Sequence, residues 1–226
     1  MTELAPHTAL LLVVWGTLVA LDLVSVPQAM ISRPLVVGAV AGWLAGDVEA
    51  GLRVGVLLEL FALDVLPIGA VRYPDYGPAT VVGTALAVGA PWELGLGLSA
   101  GVALVLAVIG GWSLMAVRRL NARAIQRRAA ALAAGESRAI RMLQYGGLFR
   151  DAARGALLTI AGLLVAWAVA RWVTLDRQTA VGLTLIAIGS GLSAAAAGAV
   201  RSAGRGARLK WLAAGVGAGA LLAVLR

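Results

Sequence analysis

The residues able to do chemistry are few and unevenly placed. Asp22, Glu59 and Asp64 lie in apolar surroundings, with Gln28 and Arg33 close to the first of them. A carboxylate at the centre of a bilayer costs about 2.5–3.5 kcal/mol on insertion scales. Three of them therefore call for a water-filled cavity, a partner, a ligand hydroxyl or a raised pKa. The segment from Asp22 ends helical bonding at Pro27 and then offers the carboxamide of Gln28, which both donates and accepts. Carboxylate and amide together suit a neutral polyol, whose hydroxyls do the same. Arg33, followed by Pro34, is placed either to balance a carboxylate or to snorkel to the interface. Asp47, Gly51, Gly55 and Glu59 recur at four-residue steps, hence along one helical face, where the glycines let a backbone or a ligand approach closely. Asp47 reads as the N-cap of a helix from Val48. Glu59, late in that run, has no cap to make and reads as a ligand contact.

Other chemistries lack their residues. There is no cysteine, hence no thiolate nucleophile and no Cys-based metal site, and the only histidine is His7. No Walker A loop occurs. Gly95-Leu-Gly97 lies in an apolar run with no preceding strand, so it reads as helix packing. No cofactor or metal is expected, and an intramembrane enzyme would need motifs that the chain does not contain.

The elements that position these residues follow from composition. Of 226 residues, 61% are hydrophobic and 13% charged, about half the charge of a soluble domain. The fold expected is an all-α polytopic membrane protein with several full transmembrane helices and short broken or re-entrant helices in its N-terminal half. Apolar runs at 94–117, 155–172 and 180–200 are each long enough to cross ~30 Å of hydrocarbon, and the run Trp211–Leu225 is shorter. Before residue 94, Thr8–Val24 is long enough to span, but Leu35–Ala45 and Ala50–Leu63 are too short for complete spans, and Pro67, Pro74, Pro78 and Pro91 punctuate the stretch between them and the first long run. Residues 1–93 thus read as a broken-helix substrate region and 94–226 as long spans. The N-terminus has no basic region before the first run, which reads as a retained membrane segment.

The net charge of +8 is concentrated. The stretch 118–154 is crowded with arginines and sets only Glu136 and Asp151 against them; Arg201, Arg205, Arg208 and Lys210 form a second cluster. Beside apolar spans, these read as cytoplasmic segments lying on anionic lipid rather than as nucleic-acid contacts. The first is read as a loop, with docking of a cytoplasmic partner as its other use. Two spans separate the clusters, which returns the chain to the same side and makes Thr174–Thr179 an outer loop. The tryptophans read as interface anchors; Trp43 stands out because it lies in a short run.

Several blocks in order carry a resemblance. They are Leu21-Asp22-Leu-Val-Ser-Val-Pro-Gln28-Ala-Met30-Ile-Ser-Arg33-Pro34-Leu35, then Ala45-Gly46-Asp47, then Gly51 to Leu60 with Glu59, then Leu66-Pro67-Ile68-Gly69-Ala70. Together they resemble the membrane IIC component of mannose/fructose/sorbose-type sugar phosphotransferase systems (PTS). The resemblance covers roughly residues 20–90. It implies a permease subunit of the cytoplasmic membrane that binds a hexose-like sugar, pairs with a IID subunit in an oligomer of IIC–IID pairs, and moves a substrate-carrying core in an elevator-like motion. Cytoplasmic IIA and IIB phosphocarriers, using His or Cys, would phosphorylate the sugar. By position, Asp22, Gln28 and Glu59 match residues expected at the sugar. Asp64 falls where the family often has a small or amide residue, and Arg72-Tyr-Pro-Asp75-Tyr replaces a less charged segment. With one histidine near the terminus and no cysteine, the chain would be a transport subunit and not its own phosphocarrier. The alternative is a membrane component kept for assembly or regulation that does not transport.

Overall fold

The computed structural model describes residues 5–63, 65, 71–88, 90, 92–202, 206, 210 and 214. Eight helices occur among them: α1 (Pro6–Val24), α2 (Pro34–Ala45), α3 (Val48–Ala62), α4 (Tyr76–Ala87), α5 (Trp92–Gln126), α6 (Ala129–Ala133), α7 (Ser137–Trp172) and α8 (Arg177–Ser202). Asp64 and nearly all of Trp211–Leu225 lie outside the described residues.

Helices α1, α5, α7 and α8 are long and apolar enough to cross a membrane. At most 39% of the apolar window of any of them is buried inside the protein. The remainder, including Leu157, Leu164, Leu185 and Ile186, faces outward, as is stable only against lipid. The chain is therefore a multi-pass membrane protein. By contrast α2 and α4 have 12 residues each and α3 has 15, or about 18–22 Å of helix, well short of the hydrocarbon thickness.

The short helices are held by small residues. α2 and α3 form an antiparallel hairpin that turns at Gly46, whose φ of +84° is the left-handed conformation that favours glycine. Asp47 caps α3 as its sequence position suggests, its Oδ1 accepting from the amide of Ala50 at 2.9 Å. A Cβ on Gly38 or Gly51 would overlap the other's backbone oxygen, and one on Gly55 would come within 2.7 Å of the Pro34 oxygen. The hairpin thus packs backbone on backbone, as small residues permit in membrane helices. α4 is buried along nearly its whole length, Gly77 to Thr84, and packs against α1, α2, α3, α5 and α7. Gly77 rests on Val19 of α1, and Gly83 on Val54 and Ala103. On the other side Gly97 receives the backbone of Leu183 and Thr184, and its amide donates to Thr184 Oγ1 at 3.1 Å. Gly97 is thus packing between α5 and α8, while Gly95 meets Ala87 and Ala90, at and past the end of α4.

The arginine-rich stretch departs from the expected loop. α5 runs on through Arg118 to Gln126, α6 intervenes, and α7 begins at Ser137, so 118–154 is mostly helix. The cause is its composition, since alanine, leucine and arginine are among the best helix formers. The tight reversal falls at Gly135, with φ +71°. Between α7 and α8, residues 173–176 are not helical. Asp176 then starts α8 by accepting from the amide and hydroxyl of Thr179 at 3.0 and 2.6 Å, and these bonds hold its carboxyl below the usual aspartate range.

Candidate functional site

The start of α2 and the end of α3 meet residues 25–33 beside the last turns of α1. The indole of Trp15 donates to Val37 O at 3.2 Å, which sets the level of α2 against α1. Asp22, 2% exposed, faces inward from α1. Its Oδ1 accepts from the amide of Ala29 at 2.6 Å and its Oδ2 from that of Ser32 at 2.9 Å. One carboxylate thus folds residues 25–33 back on the helix that carries it by accepting from two of the loop's amides. Within this loop Val26–Pro27 is a cis peptide, and Gln28 and Met30 adopt positive φ of 59° and 61°. Gln28 is exposed at the loop surface.

Arg33 closes the loop and pairs with Glu59 through Nη2 and Oε1. Glu59 Oε2 accepts from the amide of Leu35 at 3.2 Å. Pro34 and Leu35 are the first residues of α2, where amides lack helical partners and the helix dipole favours negative charge. Glu59, read from sequence as having no cap to make, therefore caps α2 from the neighbouring helix. The pairing was invisible locally because it joins residues 24 positions apart. The side chains of Arg33 and Glu59 keep 40% and 19% of their surface exposed, so the pair is accessible at the end of the glycine-lined hairpin. The structure brings Asp22, Gln28, Arg33 and Glu59 to one place, the loop and the start of α2.

A second polar centre lies deeper. Arg154 donates from Nη1 to Asp75 Oδ2 at 2.6 Å and from Nε to Asp151 Oδ1 at 2.9 Å, with all three side chains 4% exposed or less. Asp151 Oδ2 in turn accepts from the hydroxyl of Ser25, the C-cap of α1, at 2.6 Å. The cluster ties α1, the segment 71–75 and α7 together. The amide of Asp75 also donates to Ala107 O at 2.9 Å, and a Cβ on Gly111 would strike Tyr73 O, so this segment lies flat on α5. Arg118 clasps the same segment from outside, donating to Val71 O at 3.2 Å and to the Tyr73 hydroxyl at 2.8 Å. Asp151 and Arg154, read as part of the charge that orients the chain, are interior groups instead. The i,i+3 spacing of Asp151 and Arg154 is the one local sign of this, and nothing local links either to Asp75.

A family model described as the PTS system sorbose-specific IIC component matches residues 7–202. The fructose permease IIC component of Bacillus subtilis (strain 168) is 30% identical over 133 residues, which cover 59% of this chain and 49% of that protein; the chain spans about half the length of the curated relatives it matches. Among solved structures, one titled "Structure of membrane protein" superposes with a TM-score of 0.74 at 24% identity, covering 99% of this chain and 96% of the other. Another, of the mannose transporter ManYZ in complex with a microcin, does so with a TM-score of 0.63 at 23% identity and the same coverage. At these identities the two structures establish the shared fold. The family match, which extends from the first span through the last one described, identifies the chain as a multi-pass protein of the cytoplasmic membrane belonging to the sorbose-specific IIC family of the phosphotransferase system.

Proposed function

We propose that this chain is the sugar-translocating subunit of a PTS, binding a hexose-like sugar and carrying it to the cytoplasmic face, where a separate IIB subunit phosphorylates it. The observation that supports this best is the accessible Arg33–Glu59 pair where the loop 25–33 meets the half-length hairpin. Broken or half-length helices expose hydrogen-bonding groups to a solute inside the membrane. Sugar hydroxyls can donate to the Glu59 carboxylate and accept from Arg33, while the Gln28 carboxamide does either. Asp22 takes the part of holding the loop in shape, since it is 2% exposed with both oxygens on backbone amides, whereas the Glu59 side chain keeps 19% of its surface exposed. Asp64 comes two residues after the end of α3 in the chain and completes the proposed contact set. The phosphoryl group comes from IIA and IIB partners, which supply the His and Cys chemistry. The described chain pairs with a IID subunit, and the ManYZ structure, whose fold it shares, supports that pairing. IIC–IID pairs assemble further, and the α2–α3 hairpin belongs to the moving core.

Uptake of labelled hexose in cells expressing the complete system tests the proposal. Glu59→Gln is expected to lower uptake at least tenfold, as for a lost hydrogen bond to a charged group, and Gln28→Ala about two- to tenfold, as for a neutral one, while the protein is still inserted in the membrane at normal levels. Unchanged uptake in both variants and in a deletion strain would refute the transport reading in favour of an assembly component.

A further inference from the structure

One cleft lies outside the proposed sugar contacts Gln28, Arg33, Glu59 and Asp64, although Ser25, Arg118 and Asp151 line it. It holds about 600 Å³ between the end of α1 and the arginine-rich extensions of α5 and α7. Its depth in the membrane follows from the sequence: Arg118 is the first charged residue after the apolar run 94–117, and Arg150 comes just before the run 155–172. The cleft therefore sits at the hydrocarbon boundary, on the arginine-rich side that the positive-inside rule places in the cytoplasm.

Its walls have two characters. Val24, Val117 and Leu148 give it an apolar side, while Arg118 and Arg150 give it positive charge. Asp151 also lines it, but both of its oxygens are engaged, by Arg154 and Ser25; Arg154 is shared with Asp75, so the two cleft arginines must outweigh one residual negative charge. Arg150 donates from Nε to Asn121 Oδ1 at 2.6 Å, and its two Nη groups carry no hydrogen bond to protein among the described residues. Arg118 retains its Nε–H beyond the bonds it makes to Val71, Tyr73 and Met115. Guanidinium donors beside apolar side chains at the interface match a phosphodiester and its acyl chain. Basic pockets between membrane helices on the cytoplasmic side take anionic headgroups for this reason. A soluble phosphate ester would use the arginines and leave the apolar wall in water.

We propose that this cleft binds one anionic phospholipid, its phosphodiester on Arg150 and Arg118 and an acyl chain along the Val117–Leu148 wall, with Asn121 positioning Arg150. The lipid would brace α5 and α7 where the Asp75–Arg154–Asp151 cluster joins them to α1. The proposal does not depend on the transport reading.

The test is native mass spectrometry of the purified full-length protein, mixed with phosphatidylglycerol and phosphatidylcholine of identical acyl chains. The expected result is one phosphatidylglycerol retained in preference to phosphatidylcholine. Arg150→Gln lowers that retention about fivefold, as expected for one interfacial charge; Arg119→Gln, exposed and outside the cleft, leaves it unchanged. Leu148→Trp, which crowds the apolar wall, gives the same loss and serves if Arg150→Gln does not fold. Equal retention of the two lipids, an equal loss in Arg119→Gln, or displacement of the lipid by inorganic phosphate would each overturn the proposal.

Discussion

Replacing Arg154 with methionine should be among the most damaging single changes in the molecule. The side chains of Arg154, Asp75 and Asp151 are 4%, 0% and 3% exposed. Removing the cation leaves two aspartates in the interior, one bonded to Ser25 and the other without its cation. Breaking a buried ion pair on one side costs about 3–5 kcal/mol, because the remaining charge is uncompensated. For a chain of this size that corresponds to about 6–20 °C in thermal midpoint. Intrinsic tryptophan fluorescence during a thermal ramp in detergent reads the loss directly. The double variant Arg154→Met with Asp75→Leu removes one charge of each sign and leaves Asp151 with its Ser25 partner, so it should be more stable than the single variant. That recovery is the sharper part, since a packing defect would add to the second change while a charge defect is offset by it. A single variant melting within about 2 °C of the parent, or a double variant as unstable as the sum of its singles, would refute the account of this cluster as an interlocked charge network.

The hairpin and the loop give two further expected outcomes. Gly38→Ala places a methyl against the backbone oxygen of Gly51 and should cost about 1–3 kcal/mol by overpacking, whereas Gly182→Ala, with nothing within 4 Å of its new Cβ, should be neutral or stabilise α8 by up to about 1 kcal/mol; thermal melts of the two compare them directly. Asp22→Ala removes the acceptor of the Ala29 and Ser32 amides, so hydrogen exchange across 25–33 should rise by at least tenfold, as expected for the loss of about 1.5–3 kcal/mol of a hydrogen bond to a charged group, while exchange in α5 is unaffected. Unchanged exchange in the loop would show that something other than Asp22 holds it.

The elements most legible in the sequence were those set by local rules. Long apolar runs became α1, α5, α7 and α8 because a membrane-spanning segment must satisfy its own backbone, and the only local way to do so is a helix of sufficient length. The four-residue row of Asp47, Gly51, Gly55 and Glu59 declared a helical face, and the glycines on it are the ones that meet α2. Asp47 announced its cap by its position. The runs Leu35–Ala45 and Ala50–Leu63 declared themselves too short to span, and α2 and α3 are short; α4, in the proline-punctuated stretch, was not marked by such a run. The polar residues before residue 94 stood out because intramembrane charge is costly enough to be conspicuous.

Pairings between distant residues were decided only by the tertiary structure. Glu59 capping α2 and Asp22 folding the adjacent loop depend on the antiparallel return of the chain, which brings residue 59 to residue 35 and residue 22 to residues 29 and 32. Arg154 shows the limit most clearly. In the sequence it is one arginine among many in a basic stretch, and the positive-inside rule assigns all of them to the same side. The fold turns this one inward to Asp75, 79 positions away, while Arg150, one turn earlier, is left lining an open cleft. Composition sets how many charges a stretch carries. Which of them is desolvated depends on the face the helix turns toward its neighbours, and that is settled only when the helices pack.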